Sequence, residues 1–290
     1  MRPIRSAIIL VAAFLLLAGA APAPTTQPRT IRVAVIGGMN DTGFWEALAH
    51  QFEEKTGIHV EAVATGPKDG ISAVFKQGGI DLITMHASDT LMNLIADGYA
   101  MDPQPWARSD MILVGPSDDP AGIKGMTDAT AALRKIAQTK SSFVVHSSLG
   151  AQEVLRGLLE SGDIQLDPEH TTILFDDRQR RVLQIATEKK AYTLVGRIPF
   201  RSGKIPNGGM SVMVQGDERL RRPFVVAIAD PARFADAHLD EARQLAAFLR
   251  DPQTQAWIGQ FGKGRFDDSP LFFPIAQRVR AAPPTTQATR

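Results

Sequence analysis

The chain has 290 residues, of which 44% are hydrophobic and 22% charged, and these values are typical of a globular protein with one or two domains. The formal net charge is +1, and loss of Arg2 and Arg5 with a leader peptide would bring it to about −1. This balance argues against nucleic acid or an anionic membrane surface as a partner. The sequence contains no cysteine, which excludes disulfides and thiolate catalysis.

The first residues have the pattern of a secretory signal peptide. Arg2 and Arg5 precede an apolar run over residues 8–18, and residues 21–23 (APA) have the small-x-small form that signal peptidase recognises. The apolar run is shorter than the roughly 20 residues that a membrane-spanning helix needs. We therefore expect a signal peptide over residues 1–23 and an exported, soluble, periplasmic protein. Because no cysteine follows the cleavage site, we expect no lipid anchor.

Short apolar segments alternate with helical segments along the rest of the chain. The first helix should place Phe44, Leu48 and Phe52 on one face, with Asp41 or Thr42 as its N-cap and Gly57 at its end. Further helices are predicted after Ser88, over residues 129–138 and 150–160, and on both sides of Asp251-Pro252. The predicted strands cover residues 32–36, 60–64, 81–85, 111–114, 143–145, 172–175, 192–195, 212–214 and 224–228.

This alternation predicts an α/β protein whose sheets are mainly parallel and covered by helices on both faces. About ten strands suit two sheets better than one, because sheets commonly have about 4–6 strands. Residues 24–30 and 282–290 are rich in proline, alanine and threonine, so we expect a linker at one end and a disordered tail at the other.

Five segments match the pattern of one protein family. They are residues 52–58 (FEEKTGI), 81–87 (DLITMHA), 114–125 (VGPSDDPAGIKG), 188–194 (EKKAYTL) and 270–274 (PLFFP). In these segments the chain resembles the tungstate-binding proteins of ABC transporters, a branch of the periplasmic binding proteins. The segments are distributed along nearly the whole chain between the predicted linker and the predicted tail. The resemblance implies a two-lobed, type II-like periplasmic-binding-protein fold, with a mainly parallel sheet in each lobe and a ligand cleft between the lobes.

The resemblance also implies a domain organisation and a function. Lobe 1 would combine residues 31–114 and 222–281, and lobe 2 would consist of residues 115–221. The protein would capture a small oxyanion, such as tungstate or molybdate, and deliver it to the permease subunits of an ABC importer. We expect a monomer that uses no cofactor or metal and binds no nucleic acid. A sensor or scaffold of the same fold without a transport role, and binding of a different small anion, are the alternatives.

Ligands of open α/β sheets bind beyond the carboxyl ends of the strands, where helix starts offer N–H groups and partial positive charge to anions. Four loops of this chain fit that description: residues 37–42, 66–70, 86–88 and 146–150. The candidate ligand-binding residues, on these loops and near two further strand ends, are Gly37, Gly38, Asn40, Thr42, Lys68, His86, Ser147, Ser148, Arg178 and Arg197.

The candidate loops depart from the family's pattern. Residues 35–38 (VIGG) replace a run rich in threonine and serine, and residues 145–147 (VHS) stand where the family has the arginine that reaches the anion. Lys68 and Arg178 are additional cations, whereas His86 and Arg197 match a histidine and an arginine of the family.

Several candidates also have a structural explanation. Gly37 and Gly38 suit an ordinary turn, Lys68 suits a solvated surface, and the two serines of residues 147–148 suit helix N-caps. The arginines of residues 176–181 (DDRQRR) suit a solvated helix face. The sequence leaves both interpretations open for each of these loops.

Catalysis is not favoured by the sequence. The turn at residues 146–150 (HSSLG) lacks the first glycine of a nucleophile elbow, and residues 196–205 lack the spacing of a phosphate-binding loop. The six histidines show no i, i+4 pair that would suggest a metal site. We therefore expect a binding protein and not an enzyme.

Overall fold

The computed structural model describes residues 29–146, 149–175 and 179–276. The predicted signal peptide, the predicted tail and three candidate ligand residues, Ser147, Ser148 and Arg178, lie outside the described residues. The first strand begins at Thr30, the last residue of the predicted linker.

The described residues form strands alternating with helices. The strands are β1 (Thr30–Ile36), β2 (His59–Gly66), β3 (Leu82–His86), β4 (Ala100–Gly115), β5 (Phe143–His146), β6 (Thr171–Leu174), β7 (Tyr192–Gly196), β8 (Ser211–Val214), β9 (Arg221–Ala229) and β10 (Phe273–Pro274). The helices are α1 (Gly37–Asn40), α2 (Phe44–Thr56), α3 (Lys68–Phe75), α4 (Asp89–Ala96), α5 (Ala129–Gln138), α6 (Leu149–Gly162), α7 (Gln179–Glu188), α8 (Arg197–Arg201), α9 (Leu239–Leu249) and α10 (Pro252–Ile258).

Two sheets share the strand β4. The first has the order β2-β1-β3-β9-β4 with β10 beside β4, and the second has the order β4-β7-β5-β6 with β8 beside β4. The strands β1, β2 and β3 run parallel, as do β5, β6 and β7, whereas β4 and β9 pair antiparallel with their neighbours. The two-lobed α/β fold is thus confirmed. Its sheets are mixed and not mainly parallel as expected, because β4 and β9, the strands nearest the junction of the sheets, pair antiparallel with their neighbours.

The long strand β4 passes from one sheet to the other between Asp110 and Met111. Its residues 100–110 pair with β9, and its residues 111–114 pair with β7. Only the second part was predicted as a strand, because two register shifts and the prolines at positions 103 and 105 interrupt the first part. The lobe boundaries remain a proposal, and this change of partners lies four residues before the end of the first segment of the proposed lobe 1.

Each sheet has a hydrophobic core on both faces. The helices α2, α9 and α10 cover one face of the first sheet, and α3 and α4 cover the other. The helices α5 and α6 cover one face of the second sheet, and α7 covers the other. The predicted apolar face of α2 is confirmed, and the Phe44 ring stacks on Phe272 with centroids 3.8 Å apart. This contact attaches the terminal segment PLFFP to the first lobe.

The predicted N-cap of the first long helix is wrong. A short helix, α1, directly follows β1, and α2 begins after Gly43, whose φ of 73° places it in the left-handed region. The hydroxyl of Thr42 instead donates to the carbonyls of Gly38 and Met39, at 3.0 and 3.1 Å. The predicted end is confirmed, since Gly57 is the C-cap with a φ of 68°.

The two most family-like segments, 114–125 and 188–194, form one structural unit. The Tyr192 hydroxyl donates to the Asp119 carboxylate at 2.7 Å and accepts from the Ala121 N–H at 2.9 Å. The same carboxylate accepts from the Lys124 N–H at 2.8 Å, which fixes the loop. A Cβ on Gly115 would lie 2.3 Å from the Tyr192 ring, so only glycine fits beneath it. These motifs therefore hold the second lobe together.

We expect Gly115→Ala to lower the free energy of unfolding by about 1–3 kcal/mol, the usual range for overpacking a core. The Tyr192 side chain is fully buried and its hydroxyl takes part in two hydrogen bonds, so moving the ring away from an added Cβ costs stability. Urea unfolding followed by circular dichroism measures the effect. The control is Gly157→Ala on α6, where an added Cβ has nothing within 4 Å. Equal stabilities for the two variants would contradict this packing account.

Candidate functional site

Three polar side chains meet where the two sheets join. His86 ends β3, and Ser109 on β4 is the register partner of Arg222 on β9. The His86 Nε2 lies 2.9 Å from the Ser109 Oγ, and the imidazole ring lies over Phe224 with centroids 4.0 Å apart. Because β3, β9 and β4 are neighbours, these side chains share one region at the junction of the two sheets.

The Arg222 side chain reaches from the first sheet to the start of α6 in the second lobe. A Cβ built on Gly150 would lie 2.4 Å from the Arg222 Nη2, so the guanidinium packs directly on this helix turn. The Nη2 atom is buried and has no hydrogen-bond partner among the described residues. Arg222 could not be predicted from the sequence, because it lies at a strand start, belongs to no motif, and is identified only by its neighbours in space.

Lys68 extends the positive charge toward the first lobe. It is the first residue of α3, half-buried, and burial followed by the charge of Arg222 holds its pKa below the usual value. Burial likewise lowers the pKa of Arg222. The carboxylate of Glu153 on α6 raises the pKa values of both Lys68 and Arg222. Within the described residues, no carboxylate lies within ion-pair distance of either cation.

His86 is neutral in this environment. Burial of the ring, followed by the charges of Arg222 and Lys68, holds its pKa well below the usual value. A neutral imidazole can donate one hydrogen bond and accept another, and its Nε2 is engaged with Ser109. Lys68 and His86, both predicted from the sequence, are therefore brought together around Arg222.

The glycines of the first candidate loop lie at the start of α1 beside the second loop. A Cβ on Gly37 would be 3.5 Å from the Cα of Gly66, two residues before Lys68, and one on Gly38 would be 3.6 Å from the Ile198 side chain. Asn40 is exposed. Thr42 is buried with its hydroxyl donated to backbone carbonyls, and we therefore leave it out of the proposed site.

Arg197, another sequence candidate, is occupied by protein groups. Its side chain is 2% exposed, and Nη2 donates to both oxygens of Asp267 at 2.7 and 2.9 Å. Its Nη1 donates to the Pro270 carbonyl at 2.6 Å, and the guanidinium lies over the Phe273 ring. Arg197 therefore joins α8 to the terminal segment of the first lobe, and we leave it out of the ligand contacts.

The helix α8 contacts both lobes. Ile198 belongs to the core of the first sheet, whereas Phe200 belongs to the core of the second. Arg201 forms a second ion pair with Asp267 at 3.0 Å, and Lys204 pairs with the carboxylate of Asp41. The link between the lobes thus combines apolar and ionic contacts on one side of the cleft.

Asp110 is a buried carboxyl at the point where β4 changes sheets. Burial raises its pKa to about 6, against the lowering effect of Arg197, Arg221 and Arg108. The folded state therefore binds this proton more tightly than the unfolded chain does. The contribution of Asp110 to stability is present below about pH 4 and is lost as pH rises through about 6.

We expect Asp110→Asn to remove this pH dependence. Relative to the variant, the wild-type free energy of unfolding should fall by about 2–3 kcal/mol as pH rises from about 4 to about 7. Chemical denaturation of both proteins across this pH range measures the difference. Asp236→Asn, at an exposed position, is the control and should run parallel to wild type. A constant difference between wild type and Asp110→Asn would refute the assignment.

The described residues contain no helix that is both long and apolar enough to cross a membrane. In the same part of the chain, no three or more histidine or carboxylate side chains are grouped to bind a metal ion. Two α/β lobes with cationic side chains at their junction define a ligand-binding protein of the periplasmic-binding-protein type.

Comparison with known proteins identifies the family. The family model described as "Bacterial extracellular solute-binding protein" matches residues 31–263, and the chain belongs to this family. A putative ABC transporter anion-binding protein of Haloferax volcanii is 29% identical over 260 residues, which are 87% of this chain and 73% of that protein. The tungstate-binding protein TupA of Peptoclostridium acidaminophilum is 26% identical over 88% of each chain.

Solved structures show the same fold. The tungstate-binding protein TupA from Desulfovibrio alaskensis G20 superposes with a TM-score of 0.72 at 26% identity, covering 86% of this chain and 100% of that one. The tungstate ABC transporter structure from Geobacter sulfurreducens gives a TM-score of 0.67 at 24% identity, covering 80% of this chain and 98% of that one.

Proposed function

We propose that this protein captures a small oxyanion of the tungstate or molybdate type in the cleft between its lobes. It then presents the anion to the permease subunits of an ABC importer. The observation that carries the proposal is the pair of half-buried cations, Lys68 and Arg222, near His86 at the junction of the sheets, with the Arg222 guanidinium packed on Gly150. The names of its relatives, an anion-binding and a tungstate-binding transport protein, support the same ligand class.

The physical reason is electrostatic. Burial penalises the charge of both cations, Arg222 lowers the pKa of Lys68, and both cations lower the pKa of His86. An oxyanion between them relieves this repulsion and accepts charge-assisted hydrogen bonds, which are about twice as strong as neutral ones. The starts of α1, α3 and α6 add backbone N–H groups around the same cleft. We propose Gly37, Gly38 and Asn40 as further contacts, together with Ser147, Ser148 and Arg178.

The proposed mechanism is binding without chemical change. The anion would enter the open cleft, and rotation of the lobes about the crossing of β4 and β9 would enclose it. The closed form would then dock on the permease. We propose that the protein acts as a periplasmic monomer after removal of residues 1–23, which carry the pattern of a signal peptide.

Titration calorimetry with tungstate, molybdate, sulfate and phosphate tests the proposal. We expect saturable binding of at least one of these anions with one site per chain. Lys68→Met should weaken that binding because it removes a cation from the cleft. Lys263→Met, at an exposed position in the loop after α10, is the control and should bind as wild type does. Absence of binding for all four anions would refute the oxyanion proposal and leave the fold unchanged.

Removal of the Glu153 carboxylate should have the opposite effect. Its charge opposes those of Lys68 and Arg222, so it repels an anion that lies between them. We expect Glu153→Gln to tighten anion binding several-fold. A tenfold change in affinity would correspond to about 1.4 kcal/mol of binding free energy. Glu160→Gln on the same helix, where the carboxylate pairs with Arg156, is the matched control. Equal affinities for both variants would show that Glu153 does not face the ligand.

A further inference from the structure

The guanidinium of Arg222 lies in an unfavourable place for a cation. It packs on Gly150 in the first turn of α6, and the N-terminal end of a helix carries partial positive charge. Burial disfavours its charge further, and Glu153 is the carboxylate that compensates it. The buried Nη2 hydrogens have no acceptor among the described residues. A single oxyanion beside this turn would be stabilised by the guanidinium and by the helix end together.

We propose that Arg222 is the principal anion-binding residue of the cleft, and that Gly150 is glycine because the guanidinium must pack against its Cα. The inference rests on the proposed function and assigns the residues that perform it. Residues 145–147 (VHS) contain no arginine, and Arg222 brings a guanidinium to the start of α6 from the strand β9.

The location of Arg222 also couples binding to the position of the lobes. Its register partner is Ser109, two residues before β4 changes sheets at Met111. An anion bound to Arg222 would contact a strand of the first sheet and a helix of the second. Because the bound anion would contact both lobes close to the strands that join them, it would favour the closed arrangement over an open one in which Arg222 and the start of α6 separate.

Gly150 provides a test that changes no charge. A Cβ at this position would lie 2.4 Å from Nη2, 2.5 Å from Cζ and 2.6 Å from Nη1 of Arg222, so alanine must displace the whole guanidinium. Gly157 lies in the same helix, and an added Cβ there has nothing within 4 Å. Gly150→Ala and Gly157→Ala are therefore matched substitutions that differ in their effect on Arg222.

Of tungstate, molybdate, sulfate and phosphate, the anion that wild type binds most tightly is chosen. The experiment measures its affinity for five proteins. They are wild type, Arg222→Lys, Arg222→Met, Gly150→Ala and Gly157→Ala. We expect Arg222→Lys to weaken binding about tenfold because lysine keeps the charge and loses the two-pronged donor geometry. Arg222→Met should weaken binding by about a further tenfold because the charge is lost as well. Gly150→Ala should weaken it about tenfold, and Gly157→Ala should leave it within about twofold of wild type.

The outcomes separate the inference from the proposed function. If wild type binds none of the anions, the proposed function is wrong. If wild type binds an anion and both Arg222→Lys and Gly150→Ala retain its affinity, the role of Arg222 is wrong and the function stands. Thermal melting of each variant identifies unfolding as a cause of lost binding. Should Arg222→Met unfold, Gly150→Ala still decides the question, because it retains every charged group.

Discussion

The position of the candidate site depends on one continuous strand. Because β4 is hydrogen-bonded to β9 in one sheet and to β7 in the other, both lobes are oriented by the same backbone. The strand β9 lies between β3 and β4, and the three strands bring His86, Arg222 and Ser109 to one place. In the proposed mechanism, a ligand held there would lie at the pivot, where a small rotation of the lobes would surround it.

Much of the fold could be predicted from local patterns. The apolar face of α2, the glycine at its end and the helix start at Asp251-Pro252 follow directly from side-chain spacing and capping chemistry. The first part of β4 could not be predicted, because its register shifts and prolines break the alternation that marks a strand. The N-cap at Gly43 could not be predicted, because the preceding helix α1 has only four residues and is too short to show an apolar periodicity.

The site was less predictable than the fold. Strand ends indicated Lys68 and His86, and the structure places them in one charged cluster. Arg197 and Thr42 carry suitable donors, but these donors are used within the protein, and no sequence pattern reveals such partners. Arg222 was not predicted, because its sequence neighbours give no sign of a binding role and only its contact with Gly150 distinguishes it from other arginines. The segments most similar to the family, 114–125 and 188–194, are joined by the hydrogen bond between Tyr192 and Asp119. They therefore predict the fold but not the identity of the ligand.

The placement of α8 bears on how the molecule unfolds. Ile198 is buried in one core and Phe200 in the other, and Arg197 has its carboxylate partner, Asp267, across the proposed lobe boundary. Residues 115–221 expressed alone would expose this isoleucine and leave a buried guanidinium without its counter-ion. The two lobes should therefore melt together as a single cooperative unit, although the architecture divides them into two bodies.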